Sequence, residues 1–197
     1  RDGSIVLFTF DNYEIIHTFS AHGGNVYRLD FSPDGKLLAS AGRDGNIKIW
    51  DVTKMEILHL LDKHQRSVMD VKFSSDGRYL ISASYDATVR LWDVETGEQI
   101  HQFIGHTMPV NAVDISSDNK FIISGSSDKS VILWELHPEI LVNYYFPEEF
   151  AKEMNKSGLF EPRRDNESRA DYKAREEKAE KFKQDLYKKF IQKLKRD

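Results

Sequence analysis

The chain has 197 residues, 40% hydrophobic and 12% aromatic, which is enough for a packed core, and it contains no cysteine, which excludes disulfides and thiolate metal sites. Its formal charge of −4 argues against a surface that seeks nucleic acid throughout, although residues 147–197 taken alone are net basic. No run of about 18 apolar residues is present, so no segment is expected to span a membrane. The opening Arg1-Asp2-Gly3 has neither Met nor an apolar leader and reads as a cut within a longer chain, and the lack of cysteine fits an intracellular protein of cytoplasm or nucleus.

Taken in chain order, short apolar runs separated by turn residues predict strands. Ser4 to Phe8 and Glu14 to Phe19 form an initial pair. Four more strands follow, at Val26 to Phe31, Lys36 to Ala41, Asn46 to Trp50 and Glu56 to Leu61, with Pro33-Asp34-Gly35 and Asp44-Gly45 at the turns. The pattern then recurs, because Trp50, Trp92 and Trp134 stand 42 residues apart. Ser75-Asp76-Gly77 and Asp86-Ala87 serve the second copy, and Ser117-Asp118-Asn119 the third, where Asn replaces Gly at a position suited to left-handed backbone. Adding one period to residues 98–104 predicts an outer strand at Ile140 to Phe146. The expected architecture is all-β, three complete four-stranded units and one partial unit over residues 1–146. A sheet stack of that kind leaves uncovered faces at both ends. We expect further units preceding Arg1 to complete it, the alternative being another chain.

Polar residues recur in register with each Trp. His22, His64 and His106 precede it by 28 residues, Ser40, Ser82 and Ser124 by 10, and Asp44, Asp86 and Asp128 by 6. Ser, His and Asp together suggest a hydrolase, but an active site needs one set and three equivalent sets are present. The reading adopted is a buried relay in which indole N–H, hydroxyl, imidazole and carboxylate satisfy one another.

On Gly105-His106, the Ser-Asp-Gly turns, Asp86 and Trp92-Asp93, the chain resembles the WD-repeat β-propeller family over residues 1–146. The sequence departs from that pattern where Ala21 and Lys63 precede His22 and His64, where Glu135 follows Trp134, and where Phe8 replaces the first Trp. The resemblance implies a non-enzymatic scaffold, without cofactor, that holds partner proteins on the narrow face of the propeller and across its central channel.

Positions that keep the fold should recur between copies, whereas positions that read a partner need not. The residue before the turn Asp varies as Arg43, Tyr85 and Ser127, and the start of the first strand varies as Tyr27, Met69 and Asn111. Tyr27, Arg43, Arg66, Met69 and Tyr85 have the makeup of a contact surface. His17, His59, His101 and His137 are scattered without a carboxylate cluster, so no metal site is expected.

After Phe146 a short helix opens at Pro147-Glu148-Glu149, Gly158 ends it, and a linker reaches residue 165. Residues 166–197 predict one long helix, near 45 Å at roughly 1.5 Å per residue. Arg169 to Lys181 reads as a solvated charged rod. Beyond it Phe182, Leu186, Phe190 and Leu194 make an apolar stripe, joined by Tyr187 and Ile191, and residues 181–196 hold seven Lys or Arg and one Asp. The stripe is expected to dock on another protein or form a coiled coil; the alternatives are packing on the propeller side, or contact of the basic face with RNA or an anionic membrane. The functional expectation is a scaffold within a multi-protein assembly. A ribonucleoprotein component is the runner-up, and a ubiquitin-ligase substrate-recognition subunit lacks an evident ligase-binding box.

Overall fold

The computed structural model describes residues 2–195, so Arg1 and the Arg196-Asp197 end of the basic stretch lie outside it. The described residues fall into two compact units, divided between Leu136 and His137.

The first unit is built of four antiparallel sheets. The first pairs β1 (Ser4–Phe8) with β2 (Ile15–Ser20). The second runs β3 (Val26–Phe31), β4 (Leu37–Gly42), β5 (Ile47–Asp51) and β6 (Glu56–Leu61). The third repeats it with β7 (Val68–Phe73), β8 (Tyr79–Ser84), β9 (Thr88–Asp93) and β10 (Gln99–Ile104). The fourth contains β11 (Val110–Ile115), β12 (Phe121–Ser126) and β13 (Val131–Glu135). Each full sheet is a meander in which sequential strands pair, so short turns set the register.

Two backbone devices recur in every copy. The turn before the third strand needs left-handed backbone, and Gly45, Ala87 and Lys129 all supply it, with φ of 83°, 67° and 69°. Asn119 takes φ 58° at the place where Gly35 and Gly77 take 71° and 72°. In the ladder between first and second strands the register slips once, between Val26 and Arg28, Val68 and Asp70, and Val110 and Ala112. The bulged residues are Tyr27, Met69 and Asn111, and a bulge re-aims its side chain out of the ladder's alternation.

Packing between sheets runs face to face. Ala39, Ala41, Ile47 and Ile49 of the second sheet share a core with Val71, Phe73, Leu80 and Trp92 of the third. The last strand of each sheet also reaches the next Trp. Phe19 packs tilted against Trp50 at 4.7 Å between ring centroids, Phe103 against Trp134 at 5.4 Å, and Leu61 lies in one cluster with Trp92.

The expected outer strand at Ile140 to Phe146 is instead part of helix α1 (Pro138–Tyr145), so the described fourth sheet has three strands. Pro138 sits at the first helical turn with Glu139 beside it, which favours a helix start. Val142 and Phe146, four apart, then pack with Phe150 of α2 (Pro147–Lys156) and with Leu186, Tyr187 and Phe190 of α3 (Arg169–Leu194). Helix α3 begins at 169 because Ser168 caps it, its hydroxyl oxygen accepting the Asp171 N–H at 3.1 Å.

Two further expectations for this unit are corrected, the second only in part. The stripe assigned to a partner is consumed internally: Leu186 and Phe190 are buried against α1 and α2, Phe182 and Ile191 pack beside them, and Leu194 is half-buried. Amphipathicity shows that a face must be covered but does not say by what, and here the covering helices lie in the same chain. The segment Arg169 to Lys181 is exposed over most of its length, as expected of a solvated charged helix, but it is not free throughout. Arg175 turns back to donate to Glu167 and to the carbonyls of Leu159, Glu161 and Pro162, tying the α2–α3 connection to α3.

The positive φ of Ala87 and Lys129 opposes a Cβ by about 1–2 kcal/mol. Ala87→Gly and Lys129→Gly are therefore expected to raise the urea midpoint, each adding about 1 kcal/mol once the entropy cost of glycine is subtracted. Gly45→Ala should lower it.

Candidate functional site

The polar residues that recur around each Trp meet inside their sheet. In the second sheet the Trp50 indole donates to Ser40 Oγ at 3.0 Å, Ser40 Oγ lies 2.8 Å from His22 Nε2, and His22 Nδ1 lies 3.0 Å from Asp44 Oδ1. The third sheet gives 2.8, 2.7 and 2.8 Å for Trp92, Ser82, His64 and Asp86. The fourth gives 2.8, 2.8 and 2.9 Å for Trp134, Ser124, His106 and Asp128. A carboxylate only accepts, so Nδ1 carries the proton, and neutral Nε2 takes the serine O–H. Every donor in the series then has an acceptor.

Local geometry brings the carboxylate into place. It caps its own turn, with Asp44, Asp86 and Asp128 accepting the N–H of Asn46, Thr88 and Ser130 at 3.1, 3.0 and 2.8 Å. It also accepts the N–H after the histidine, from Gly23, Gln65 and Thr107 at 3.0, 3.1 and 3.0 Å. At the second sheet a Cβ on Gly42 would come 2.1 Å from His22 Nδ1, so glycine is needed there for the ring to lie against the turn.

These surroundings set the ionisation states. Burial pushes the His22 and His64 imidazoles below their ordinary 6.5 and outweighs the pull of Asp44 and Asp86. Burial alone would raise the Asp44 and Asp86 carboxyls, but the hydrogen bonds from backbone and imidazole, joined at Asp86 by the Thr88 hydroxyl, win and hold both below the usual range. The Ser130 hydroxyl does the same for Asp128. Chemically the arrangement is closed. Ser40, Ser82 and Ser124 are 0, 0 and 1% exposed, and each hydroxyl oxygen is already the acceptor of an indole N–H, so it is not presented to a substrate.

The residues expected to read a partner are arranged around the same turns. Arg43, Arg66 and Tyr85 are exposed. The backbones of Arg43 and Tyr85 are tied through Ser67, whose hydroxyl donates to Arg43 O at 2.9 Å and whose carbonyl accepts the Tyr85 N–H at 2.9 Å. Met69 is half-buried in its bulge, and Tyr27 lines a hollow with Ser4, Ile5 and Val6 of β1. Among the described residues no cluster of three or more His, Asp or Glu is arranged to hold a metal, and no helix is long and apolar enough to cross a membrane.

One set of functional contacts escaped the sequence reading. Asp30 accepts the Phe73 N–H at 2.8 Å and pairs with the Lys72 ammonium at 3.1 Å, while Asp70 accepts the Val113 N–H at 3.1 Å and pairs with Arg28 at 3.0 Å. These carboxylates bridge neighbouring sheets. Their signal was present as opposite charges one 42-residue period apart, 28 against 70 and 30 against 72.

Meandering sheets stacked on repeated Trp–Ser–His–Asp relays define a repeat-built β-propeller type of unit. The family described as WD domain, G-beta repeat matches at residues 13–51, 55–93 and 97–135, more than half of the chain, which therefore belongs to the WD40-repeat family. Each match runs from the outer strand of one sheet through the third strand of the next, the span over which Phe19, Leu61 or Phe103 reaches its Trp. No curated protein matches the chain.

Ser82→Ala leaves Trp92 Nε1 and His64 Nε2 without partners in a fully buried site and is expected to cost roughly 1–3 kcal/mol in urea unfolding. The pH dependence has a fixed sign. Above 6.5 His22 and His64 are neutral in both states; as pH falls below it the unfolded chain binds protons first, so stability declines. The depressed carboxyls add a second loss below about 3.8, continuing down through their folded values. The urea midpoint should therefore be flat from neutrality up to the onset of tyrosine ionisation and fall in two stages toward acid. Beyond that onset Tyr187, whose hydroxyl burial pushes above its ordinary pKa, makes a further loss.

Proposed function

We propose that this chain is part of a non-enzymatic scaffold in which a WD40 propeller presents an exposed rim to a protein partner within a larger assembly. WD40 repeats generally mediate protein–protein interaction. The observation that carries the reading is the division of labour at each turn. The aspartate side chain is drawn inward to the imidazole, while the residue before it, Arg43 or Tyr85, stays exposed on a backbone pinned by Ser67. Aromatic and arginine side chains on a rigid support lose little conformational freedom when they bind.

The propeller in this proposal is completed by further sheets of the same repeat, since Leu29 and Phe31 of β3 are 44 and 53% exposed where their equivalents Val71 and Phe73 are 0 and 5%. The basic face of α3 is not given a nucleic-acid role. Lys188, Lys189 and Lys193 face Asp185, Glu153 and Glu149 at 3.2, 4.0 and 2.7 Å, so much of its charge is answered within the unit.

The double variant Arg43→Ala, Tyr85→Ala is expected to keep its melting temperature and to lose captured protein in a pull-down from its own cells. Capture unchanged by the double variant would refute the assignment of the rim.

A further inference from the structure

The two internal sheet interfaces provide a template for the face that closes the fourth sheet. Phe121, Ile123, Val131 and Leu133 are 38, 45, 68 and 64% exposed. One period earlier the same places hold Tyr79, Ile81, Val89 and Leu91, at 4, 0, 0 and 0%. The four exposed residues share one face across paired strands, with Ile123 opposite Leu133 and Val131 opposite Gly125. An apolar face of this extent marks a contact surface.

A charge accompanies it. Asp114 stands two periods after Asp30, whose carboxylate takes both the Phe73 N–H and the Lys72 ammonium of the following sheet. Asp114 is exposed, and among the described residues its carboxylate is met by the N–H of its own neighbour Ile115 at 2.9 Å. It occupies the position of the bridging acid with no following sheet described.

We propose that this face receives a further sheet of the same repeat, carried by the same polypeptide outside residues 1–197, whose inner strand presents a lysine or arginine to Asp114 and a backbone N–H to its second oxygen. The inference rests on the reading that the repeat continues, and adds the chemistry of what continues it. A second copy of this chain is a poor occupant. Among the described residues the β1–β2 pair offers no inner strand, so residues 2–195 of a second copy bring nothing to the place of Lys72.

The test uses the complete natural polypeptide with p-benzoylphenylalanine in place of Ile123, irradiated and mapped by mass spectrometry. The expected product is an intramolecular cross-link to a sheet of the same repeat outside residues 1–197. Cross-linking to a second copy, to another protein, to residues 1–197 themselves, or to nothing would overturn the continued repeat itself. Where the expected cross-link forms, Asp114→Ala and Asp114→Asn should both lower the urea midpoint of the complete protein. Asp114→Lys should lower it further, and reversal of the facing basic residue to Glu should restore it. An unmoved midpoint in the complete protein, or a facing residue that is not basic, would overturn the charge pairing while leaving the continued repeat standing.

Discussion

A buried serine hydroxyl between an indole and an imidazole is the constraint from which the rest of the first unit follows. It has one proton to give and must accept another, so its neighbours are forced into a single order: Trp on one side, neutral His on the other, and a carboxylate beyond to hold the histidine tautomer. That order spans the loop before the first strand, the second strand, the turn and the third strand. A sheet with this relay intact cannot slip its register by one residue without exposing every member of the series. Among the described residues no buried side-chain nitrogen or oxygen is left without a partner, which is what a polar network inside a core requires.

The relay works within a sheet; cohesion between sheets is of another kind. Apolar faces supply most of the contact, and the inner strands add carboxylates that reach across to a backbone N–H and a basic side chain. Burial raises the Asp70 carboxyl, against the opposing pull of the Val113 N–H and Arg28, so this acid is held at a cost that only its specific partners offset. The outer strand contributes differently again. Phe19, Leu61 and Phe103 place the end of one sheet over the tryptophan of the next, so the sequence unit and the structural unit are offset by one strand.

Legibility in the sequence followed repetition. Strands and turns in residues 4–135 could be located to within a residue or two because three copies vote on each position, and the left-handed place at Asn119 stood out against Gly35 and Gly77. The residues of the relay were singled out by the same spacing. Where repetition ended, arithmetic misled. Adding one period to residues 98–104 lands on an apolar run, but Pro138 and the i, i+4 spacing of Val142 and Phe146 suit a helix, and local chemistry prevailed over register. In the tail, the stripe on α3 was visible but its cover was not, because the α1 residues read as a strand and the short helix at Pro147 carried no signal that paired it with the stripe. The cross-sheet acids were missed for a different reason. Comparison of copies looked for identity at equivalent positions, and these pairs are complementary.

That complementarity has a consequence for how such a chain can change. Modules copied from one ancestor are usually thought interchangeable, yet Arg28 faces Asp70 and Asp30 faces Lys72 at homologous places. Excision of one 42-residue module, residues 64–105, would bring Asp30 up to Asp114 and leave Arg28 opposite Ala112. The modules are therefore numbered by charge, and shuffling or looping out one of them during evolution would be resisted by electrostatics even where every turn and every tryptophan still fits.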